Sequence, residues 1–155
     1  MEAAAALGSD MFIGHATWKW IDVHARTGGA PIYRYSFDRK IPVAPGTKIN
    51  GVVATSRDIG ARHAGEIEYV FGALDSLKTV PWEASDRKLS DAITTYWANF
   101  ARSGDPNGDG LPRWPRYDVS TRRILHLDET IRAGTDTNRP RYEALDVYVE
   151  SQRGR

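Results

Sequence analysis

Histidine is the side chain in this sequence best suited to proton transfer near neutral pH, because its ordinary pKa is about 6.5. The chain has four histidines. His15 and His24 fall in a segment with helical spacing and His126 in a short strand candidate, where we expect solvent-facing or hydrogen-bonded structural roles. His63 differs, because it follows an aromatic strand and a long loop and precedes a short helix. This position makes His63 the candidate general base.

A nucleophile for that base is missing from the sequence. No Gly-x-Ser-x-Gly segment, which presents a serine on a sharp strand-to-helix turn, occurs in the chain. Gly28-Gly29 lies between a helix and a strand and is not placed as an oxyanion loop. Ser85 and Lys88 fit a Ser-x-x-Lys spacing, but no Ser-Asp-Asn or Lys-Thr-Gly segment accompanies them, so we expect Ser85 to be a helix N-cap.

A calcium loop is the other chemistry that the sequence suggests. Asp105, Asn107, Asp109 and Gly110 match the first half of an EF-hand loop, but Arg116 stands where the bidentate acid is needed. Two prolines also oppose the exiting helix. We therefore expect a polar turn here, with no metal and no cofactor.

Composition limits the class of protein and of partner. The length of 155 residues fits one domain. Lys and Arg number 21 against 20 Asp and Glu, which gives no field that favours nucleic acid. Cysteine is absent, which excludes thiolate catalysis and cysteine-based zinc sites. No signal peptide or membrane span is predicted from the first residues or elsewhere.

Helical and strand spacings alternate along the first half of the chain. A helix is predicted from Ser9 or Asp10 to about Arg26, and a strand with one aromatic face over Pro31–Phe37. A long loop follows over Arg39–Ile59. The predicted apolar helix face consists of Phe12, Ile13, Ala16, Trp20 and Val23.

The second half continues the alternation. A short helix is predicted over Ala64–Phe71, with Ile67, Val70 and Phe71 buried, and a long helix over Ser85–Ser103. A strand over Ile124–Leu127 and a last helix with Tyr142, Leu145 and Tyr148 complete the order. This is an α/β pattern with too few strands for a complete doubly wound sheet.

Several colinear segments resemble one family. Gly60–Gly72 resembles the histidine motif of the type B carboxylesterase/lipase family, which includes cholinesterases and para-nitrobenzyl esterases. Pro31–Asp38 resembles the strand before that motif, and Tyr96–Asn107 resembles the late helix and turn. Leu111–Tyr117 and Ile124–Asp128 extend the similarity over nearly the whole chain.

This resemblance implies a single partial domain over residues 1–155, the C-terminal segment of an α/β-hydrolase fold with an incomplete central sheet. His63 alone matches a catalytic position of the family. The triad acid of the family is an upstream Glu, and the only Glu before His63 is Glu2, outside any matching motif. Asp38 and Asp58 are nearer candidates for orienting His63, and Glu66 is expected to support its loop.

The expected function is therefore part of a carboxylic ester hydrolase, to which the chain supplies the catalytic histidine. Without serine or acid, the isolated chain is expected to be inactive. The alternative is a truncated, non-catalytic module that associates with itself or with the missing N-terminal part. The aromatic strand face and the helix over Leu89–Phe100 motivate it, because both expect a central sheet that this chain does not supply.

Overall fold

The computed structural model of the protein describes residues 7–61 and 63–153. Glu2 and Arg62, the latter within the histidine motif, lie outside the described residues. The chain forms two compact units, one from residues 33–115 and 124–134, the other from residues 1–32, 116–123 and 135–155. The histidine motif belongs to the unit that contains residues 33–115.

Helices and strands alternate along the chain. The helices are α1 (His15–Thr27), which continues a π-helical turn (Asp10–Gly14), α2 (Ser56–Ile59), α3 (Ile67–Val70), α4 (Ala84–Ser103) and α5 (Arg139–Arg153). The strands are β1 (Tyr35–Phe37), β2 (Lys48–Ile49), β3 (Val52–Val53), β4 (Arg123–Leu127) and β5 (Arg132–Thr135). None of the helices in the described part of the chain has the length and apolar character needed to cross a bilayer.

The main sheet has three strands in the order β1-β4-β5. β1 and β4 are parallel, with Tyr35 opposite Leu125 and Phe37 opposite Leu127. A parallel pair needs a long crossover, and residues between β1 and β4 supply it, including α3 and α4. The predicted α/β class and the incomplete sheet are confirmed.

The core of this unit lies between the sheet and α4. Its buried apolar side chains come from α3, the 3-10 turn after it (Leu74–Ser76), α4, the segment after α4, and β4: Tyr69, Leu74, Leu89, Ile93, Tyr96, Trp114, Leu125 and Leu127. α4 has the apolar spacing that the sequence predicts, and Gly104 ends it in the left-handed conformation with φ of 74°. The N-cap differs from the prediction: it is Glu83, two residues before Ser85, and Glu83 forms a capping box with Asp86.

β1 has the aromatic face that its alternation predicts, although the strand begins at Tyr35 rather than near Pro31. Tyr33 and Tyr35 pack edge-on against Trp114, at ring-centroid distances of 6.2 and 5.9 Å. Phe37 packs against Tyr69 at 5.2 Å. Aromatic pairs at such distances stabilise a core beyond the area they bury.

The predicted long loop over residues 39–59 contains regular structure. β2 and β3 pair antiparallel around Asn50 and Gly51, whose φ angles are 52° and 82°. Two positive φ angles at the centre of a hairpin define a turn that an Asn-Gly pair favours. The loop prediction is therefore wrong for the hairpin and for α2.

The predicted buried faces of two helices are also wrong. On α1, Trp18 and Asp22 are buried, whereas Trp20 is 71% exposed. On α3, Tyr69 is fully buried and Val70 is partly buried against the core, whereas Ile67 and Phe71 are 49% and 76% exposed. The buried polar and aromatic side chains of both helices make specific contacts within their own unit: Asp22 on α1 pairs with Arg26, and Tyr69 on α3 donates to Asp86. These contacts decide which face of each helix is buried.

Candidate functional site

His63 lies on an exposed turn between α2 and α3. The turn is conformationally constrained, because Gly60 has φ of 67° and Ala64, the next residue after His63, has φ of 60°. A left-handed alanine costs about 1 kcal/mol or more. Strain of this kind is often found where a loop must present a side chain in a fixed direction.

A contact with β1 holds this turn. Gly65 is buried, and the side chain of Glu66 accepts a hydrogen bond of 3.1 Å from the hydroxyl of Tyr35. Burial and the neighbouring carboxylate of Glu66 both raise the pKa of Tyr35, so its hydroxyl stays protonated and donates. The turn carrying His63 is thus linked to the central sheet only three residues after the imidazole.

In addition to the contact between the His63 turn and β1, hydrogen bonds join α3 to α4. The hydroxyl of Tyr69 donates to Asp86 at 2.8 Å, and the backbone carbonyl of Tyr69 accepts hydrogen bonds from Ser90 and Thr94 at 2.9 and 3.1 Å. All these groups are buried or partly buried. The helix that follows His63 therefore has a single well-defined position against α4.

A buried arginine, Arg39, also helps to hold α3 and α4 in place beside β1. Arg39, which follows β1, donates to Asp86 at 2.6 and 3.1 Å and to Glu83 at 2.9 Å, and it also donates to Glu129. Burial raises the pKa of Asp86, but hydrogen bonds from Arg39, from the Glu83 backbone and from Tyr69 outweigh this and leave that pKa lowered. Asp86 therefore stays ionised and joins β1, α3 and α4.

The aspartates considered as orienting groups for His63 have defined contacts elsewhere. Asp38 lies 2.6 Å from Nδ1 of His126 and accepts a 2.6 Å hydrogen bond from Ser36. Asp58 accepts from the backbone and side chain of Thr55 at 2.6 and 2.7 Å, as the capping group of α2. An orienting role toward His63 stays a prediction for both.

The remaining histidines have environments that fit structural roles. His126 is buried in β4 beside Asp38. Nε2 of His15 lies 3.2 Å from Asp146. Because the hydroxyl of Ser36 donates to the carboxylate of Asp38, its proton points to that carboxylate. In the Ser36, Asp38 and His126 cluster, the serine hydroxyl and the imidazole therefore both contact the carboxylate, whereas an activated serine donates to the imidazole.

The residues of the suggested calcium loop hydrogen-bond within a turn. Asp105 accepts from the backbone and side chain of Asn107 at 3.0 and 2.7 Å. Asn107 in turn accepts from the backbone of Trp114 at 2.7 Å and donates to its carbonyl at 3.1 Å. These oxygens fix the path of the chain into Trp114.

Tyr35→Phe is expected to lower the free energy of unfolding by about 1 kcal/mol, because it leaves the half-buried carboxylate of Glu66 without this donor. Urea denaturation measures the change, and amide exchange at Glu66 and Ile67 should become faster. Tyr148→Phe, at a residue that is 58% exposed, is the control. Equal losses in the two variants would contradict a specific anchor for the turn.

Comparison with known proteins places the chain in a family. Residues 1–145 match the Carboxylesterase family. The medium-chain fatty acyl-CoA hydrolase precursor of Anas platyrhynchos is 38% identical over 110 residues, covering 71% of this chain and 18% of that protein. Carboxylesterase 4A of Bos taurus is 37% identical over 128 residues, covering 83% of this chain and 21% of that protein.

Solved structures give the same fold. A PNB esterase aligns with TM-score 0.54 and 29% identity, over 74% of this chain and 21% of that one. The Geobacillus stearothermophilus carboxylesterase EST55 aligns with TM-score 0.55 and 28% identity, over 75% and 22%. The chain spans about a fifth of the length of the proteins it matches. The predicted resemblance is confirmed: the chain belongs to the carboxylesterase family, as a segment of its α/β-hydrolase fold.

Proposed function

We propose that His63 is the general base of a serine ester hydrolase whose nucleophile lies outside these 155 residues. The observation that carries the proposal is the exposure of His63 on a turn that has positive φ at Gly60 and Ala64 and is held to β1 through Glu66. An imidazole in this setting can be approached by a hydroxyl from other polypeptide. Family membership supports ester hydrolysis as the reaction.

The chemistry assigns two steps to His63. Its neutral imidazole accepts the proton of a serine hydroxyl as the serine oxygen attacks the ester carbonyl, and the imidazolium then gives that proton to the departing alcohol. In the second half of the reaction, His63 accepts a proton from a water molecule as the water oxygen attacks the acyl-serine carbonyl. The imidazolium then returns that proton to the serine oxygen, and the carboxylic acid is released. The triad acid and the oxyanion donors also come from outside this chain, and no cofactor takes part.

The isolated chain is expected to show no His63-dependent hydrolysis of p-nitrophenyl acetate or butyrate. Its sequence has no serine in a nucleophile turn, and loss of the nucleophile alone removes about 10⁶-fold in kcat in serine hydrolases. Release of p-nitrophenol by the wild-type chain and by His63→Ala measures this. Turnover by the isolated wild-type chain that disappears in His63→Ala would contradict the expected inactivity.

We use the term assembled enzyme for this chain in complex with a second polypeptide that supplies the rest of the carboxylesterase fold. The unmatched part of the bovine relative is a suitable partner. Hydrolysis should appear in the mixture with wild-type chain and be lost with His63→Ala. If a complex forms and has His63-independent activity, or none, the catalytic role is wrong.

The second candidate function is a non-catalytic module that persists by association. The specific observation is α1 with the π-helical turn before it: Asp22 is buried on α1, whereas Met11 on the turn and Trp20 on α1 are 63% and 71% exposed. An exposed apolar face on a helix favours association. Sedimentation velocity of wild-type chain and Trp20→Gln tests it: a concentration-dependent oligomer that weakens in the variant supports the module, and a monomer in both argues against it.

A further inference from the structure

The chain contains two Asn-Gly dipeptides, Asn50-Gly51 and Asn107-Gly108. Asparagine followed by glycine is a reactive pair, because glycine has no Cβ to shield its backbone nitrogen from the side-chain amide before it. That nitrogen can attack Cγ of the asparagine, and the amide group then leaves as ammonia. Both dipeptides belong to the unit formed by residues 33–115 and 124–134, so global unfolding of this unit exposes them alike. A difference in their reactivity therefore reports on local structure.

Asn50 lies in an open and weakly held environment. Asn50 and Gly51 are both exposed at the tip of the β2–β3 hairpin. Within the described part of the chain, the side-chain amide of Asn50 forms no hydrogen bond. A Cβ built on Gly51 would meet no described atom within 4 Å. Each strand of the hairpin has only two residues, all exposed, and such a segment opens at low cost in free energy.

Asn107 also precedes a glycine but is held in place. Its Nδ2 donates to Asp105 at 2.7 Å and to the carbonyl of Trp114 at 3.1 Å, and its Oδ1 accepts from the Trp114 backbone at 2.7 Å. A Cβ on Gly108 would come within 2.7 Å of Nδ2 of Asn99, so the backbone there is closely packed. To bring Cγ onto the Gly108 nitrogen, the side chain must break these three hydrogen bonds. The fold therefore opposes the reaction at Asn107.

We propose that Asn50 is a site of spontaneous deamidation and that the fold protects Asn107 from the same reaction. The backbone nitrogen of Gly51 loses its proton to base in the solvent and forms a bond to Cγ of Asn50. The C–N bond of the side-chain amide breaks, and ammonia leaves with a proton taken from water. The resulting cyclic succinimide reacts with water at either of its carbonyls, which gives aspartate or isoaspartate at position 50.

The products change both the charge and the backbone of the hairpin. Replacing the neutral amide by a carboxylate adds one negative charge to the formal net charge of +1, which leaves 0. Isoaspartate also adds a methylene to the main chain between Ile49 and Val52, which pair across the turn. The chain leaves the hairpin through buried Ala54 and reaches Thr55, the N-cap of α2. The reaction therefore loosens the segment that leads toward the His63 turn, and it occurs whether or not His63 is catalytic.

Peptide mass spectrometry of the folded chain, incubated in mildly alkaline buffer, tests the site. Tryptic peptides 49–57 and 103–113 each contain one of the two asparagines. The mass increase of deamidation should appear in peptide 49–57 about tenfold faster or more, because the three hydrogen bonds of Asn107 must break first. Equal rates, faster conversion of peptide 103–113, or no conversion of peptide 49–57 would overturn the proposal.

The same measurement in urea separates the effect of the fold from that of the sequence. Without the hydrogen bonds of Asn107, the two peptides should react at similar rates. A difference between them that persists unchanged in urea would contradict protection by the fold.

The products show whether the reaction passes through the cyclic intermediate. Opening of a succinimide gives a mixture of aspartate and isoaspartate, whereas direct hydrolysis of the side-chain amide gives aspartate alone. Electron-transfer fragmentation of peptide 49–57 distinguishes the two products. Isoaspartate in the mixture supports attack by Gly51, and aspartate alone contradicts it.

Two glycine variants test the attacking group. Gly51→Ala puts a methyl group beside the nitrogen and should slow deamidation of Asn50 severalfold. Because Gly51 has φ of 82°, alanine there also strains the hairpin, and a looser hairpin alone would speed the reaction. Gly46→Ala, at another exposed glycine with φ of 79°, is the matched control and should leave the rate unchanged. Faster deamidation in Gly51→Ala, or equal effects of the two variants, would contradict attack by Gly51.

Asp105→Ala tests the protection of Asn107. The variant removes the acceptor for the backbone N–H and the side chain of Asn107, which bond to Asp105 at 3.0 and 2.7 Å. Deamidation of peptide 103–113 should become faster, while that of peptide 49–57 stays the same. If peptide 103–113 reacts no faster in the variant than in the wild-type chain, protection by these hydrogen bonds is wrong.

Discussion

Replacing His63 by alanine in the assembled enzyme is expected to lower kcat for p-nitrophenyl butyrate by about 10⁶-fold, the size of loss seen when the histidine of a serine hydrolase triad is removed. Without the imidazole, the serine hydroxyl has no acceptor for its proton and the departing alcohol has no donor. The substrate concentration for half-maximal rate should change little, because His63 acts on the reacting atoms and not on substrate affinity.

His24→Ala is the matched control for that experiment. His24 is also an exposed histidine, but it lies on α1, in the unit that does not contain the histidine motif. Its removal should leave kcat within about twofold of wild type, as for surface changes remote from the chemistry. A similar loss in both variants would show that removing any surface histidine disturbs assembly, and the assignment of His63 would fail.

Asp86→Ala is expected to lower the free energy of unfolding by about 3–5 kcal/mol. The carboxylate of Asp86 is fully buried, and the Arg39 side chain that it pairs with is 7% exposed. Removal leaves a buried guanidinium without its main partner and also removes the acceptor for the hydroxyl of Tyr69. Urea denaturation measures the loss.

Asp91→Ala, at an exposed position on the same helix, is the control and should cost less than about 0.5 kcal/mol. Comparable losses from both substitutions would mean that the damage comes from the helix and not from the buried ion pair. Asp86→Asn adds an isosteric comparison, because it keeps the shape and removes the charge.

The same pair gives stability a pH dependence with a definite sign. The pKa of Asp86 is lowered in the folded protein from 3.8, so ionised Asp86 contributes its full stabilisation above about pH 4–5. That contribution is lost as the pH falls through the lowered pKa. Asp86→Asn should therefore lose less stability than wild type between pH 5 and pH 2, which urea titrations at several pH values can measure.

Local patterns in the sequence predicted the elements whose packing is local or strongly periodic. α4 keeps its apolar residues at helical spacing over its full length, and Leu89, Ile93 and Tyr96 are buried as expected. The alternation at Tyr35 and Phe37 predicted a strand with an aromatic face. His63 follows this strand and precedes a short helix, as the sequence predicts, and its side chain is exposed; its catalytic role stays a prediction.

The hairpin over residues 48–53 lies where the sequence analysis predicts a loop, although the sequence contains a hairpin signal. Asn50-Gly51 lies between Lys48-Ile49 and Val52-Val53, which is the dipeptide that favours a two-residue hairpin turn. Pro and Gly elsewhere in the segment obscured it. Each strand has only two residues, so no alternation could reveal it.

The buried face of α1 could not be predicted from hydrophobic spacing. Asp10 and Asp22 are buried because Arg141 pairs with Asp10 at 2.5 Å and Arg26 pairs with Asp22 at 2.9 Å. The first of these contacts joins residues more than a hundred positions apart, which periodicity within one helix does not reveal.

The contacts that hold the turn carrying His63 could be predicted from the sequence only in part. Glu66 was expected to hold the loop from its position one helical turn after His63, but its partner, Tyr35, lies 31 residues away. The same holds for Arg39 and Asp86, which are 47 residues apart. A single sequence contains the residues of such pairs, but folding alone brings them together.

A fluorophosphonate probe, which bonds covalently to activated serines, tests the central claim most directly. After labelling of the assembled enzyme, mass spectrometry of its peptides locates the modified serine. The label should be found on a serine of the partner polypeptide, and labelling should fall sharply with His63→Ala. A label on a serine within these 155 residues, or labelling that His63→Ala leaves unchanged, would contradict the role of His63 as the base for an external nucleophile.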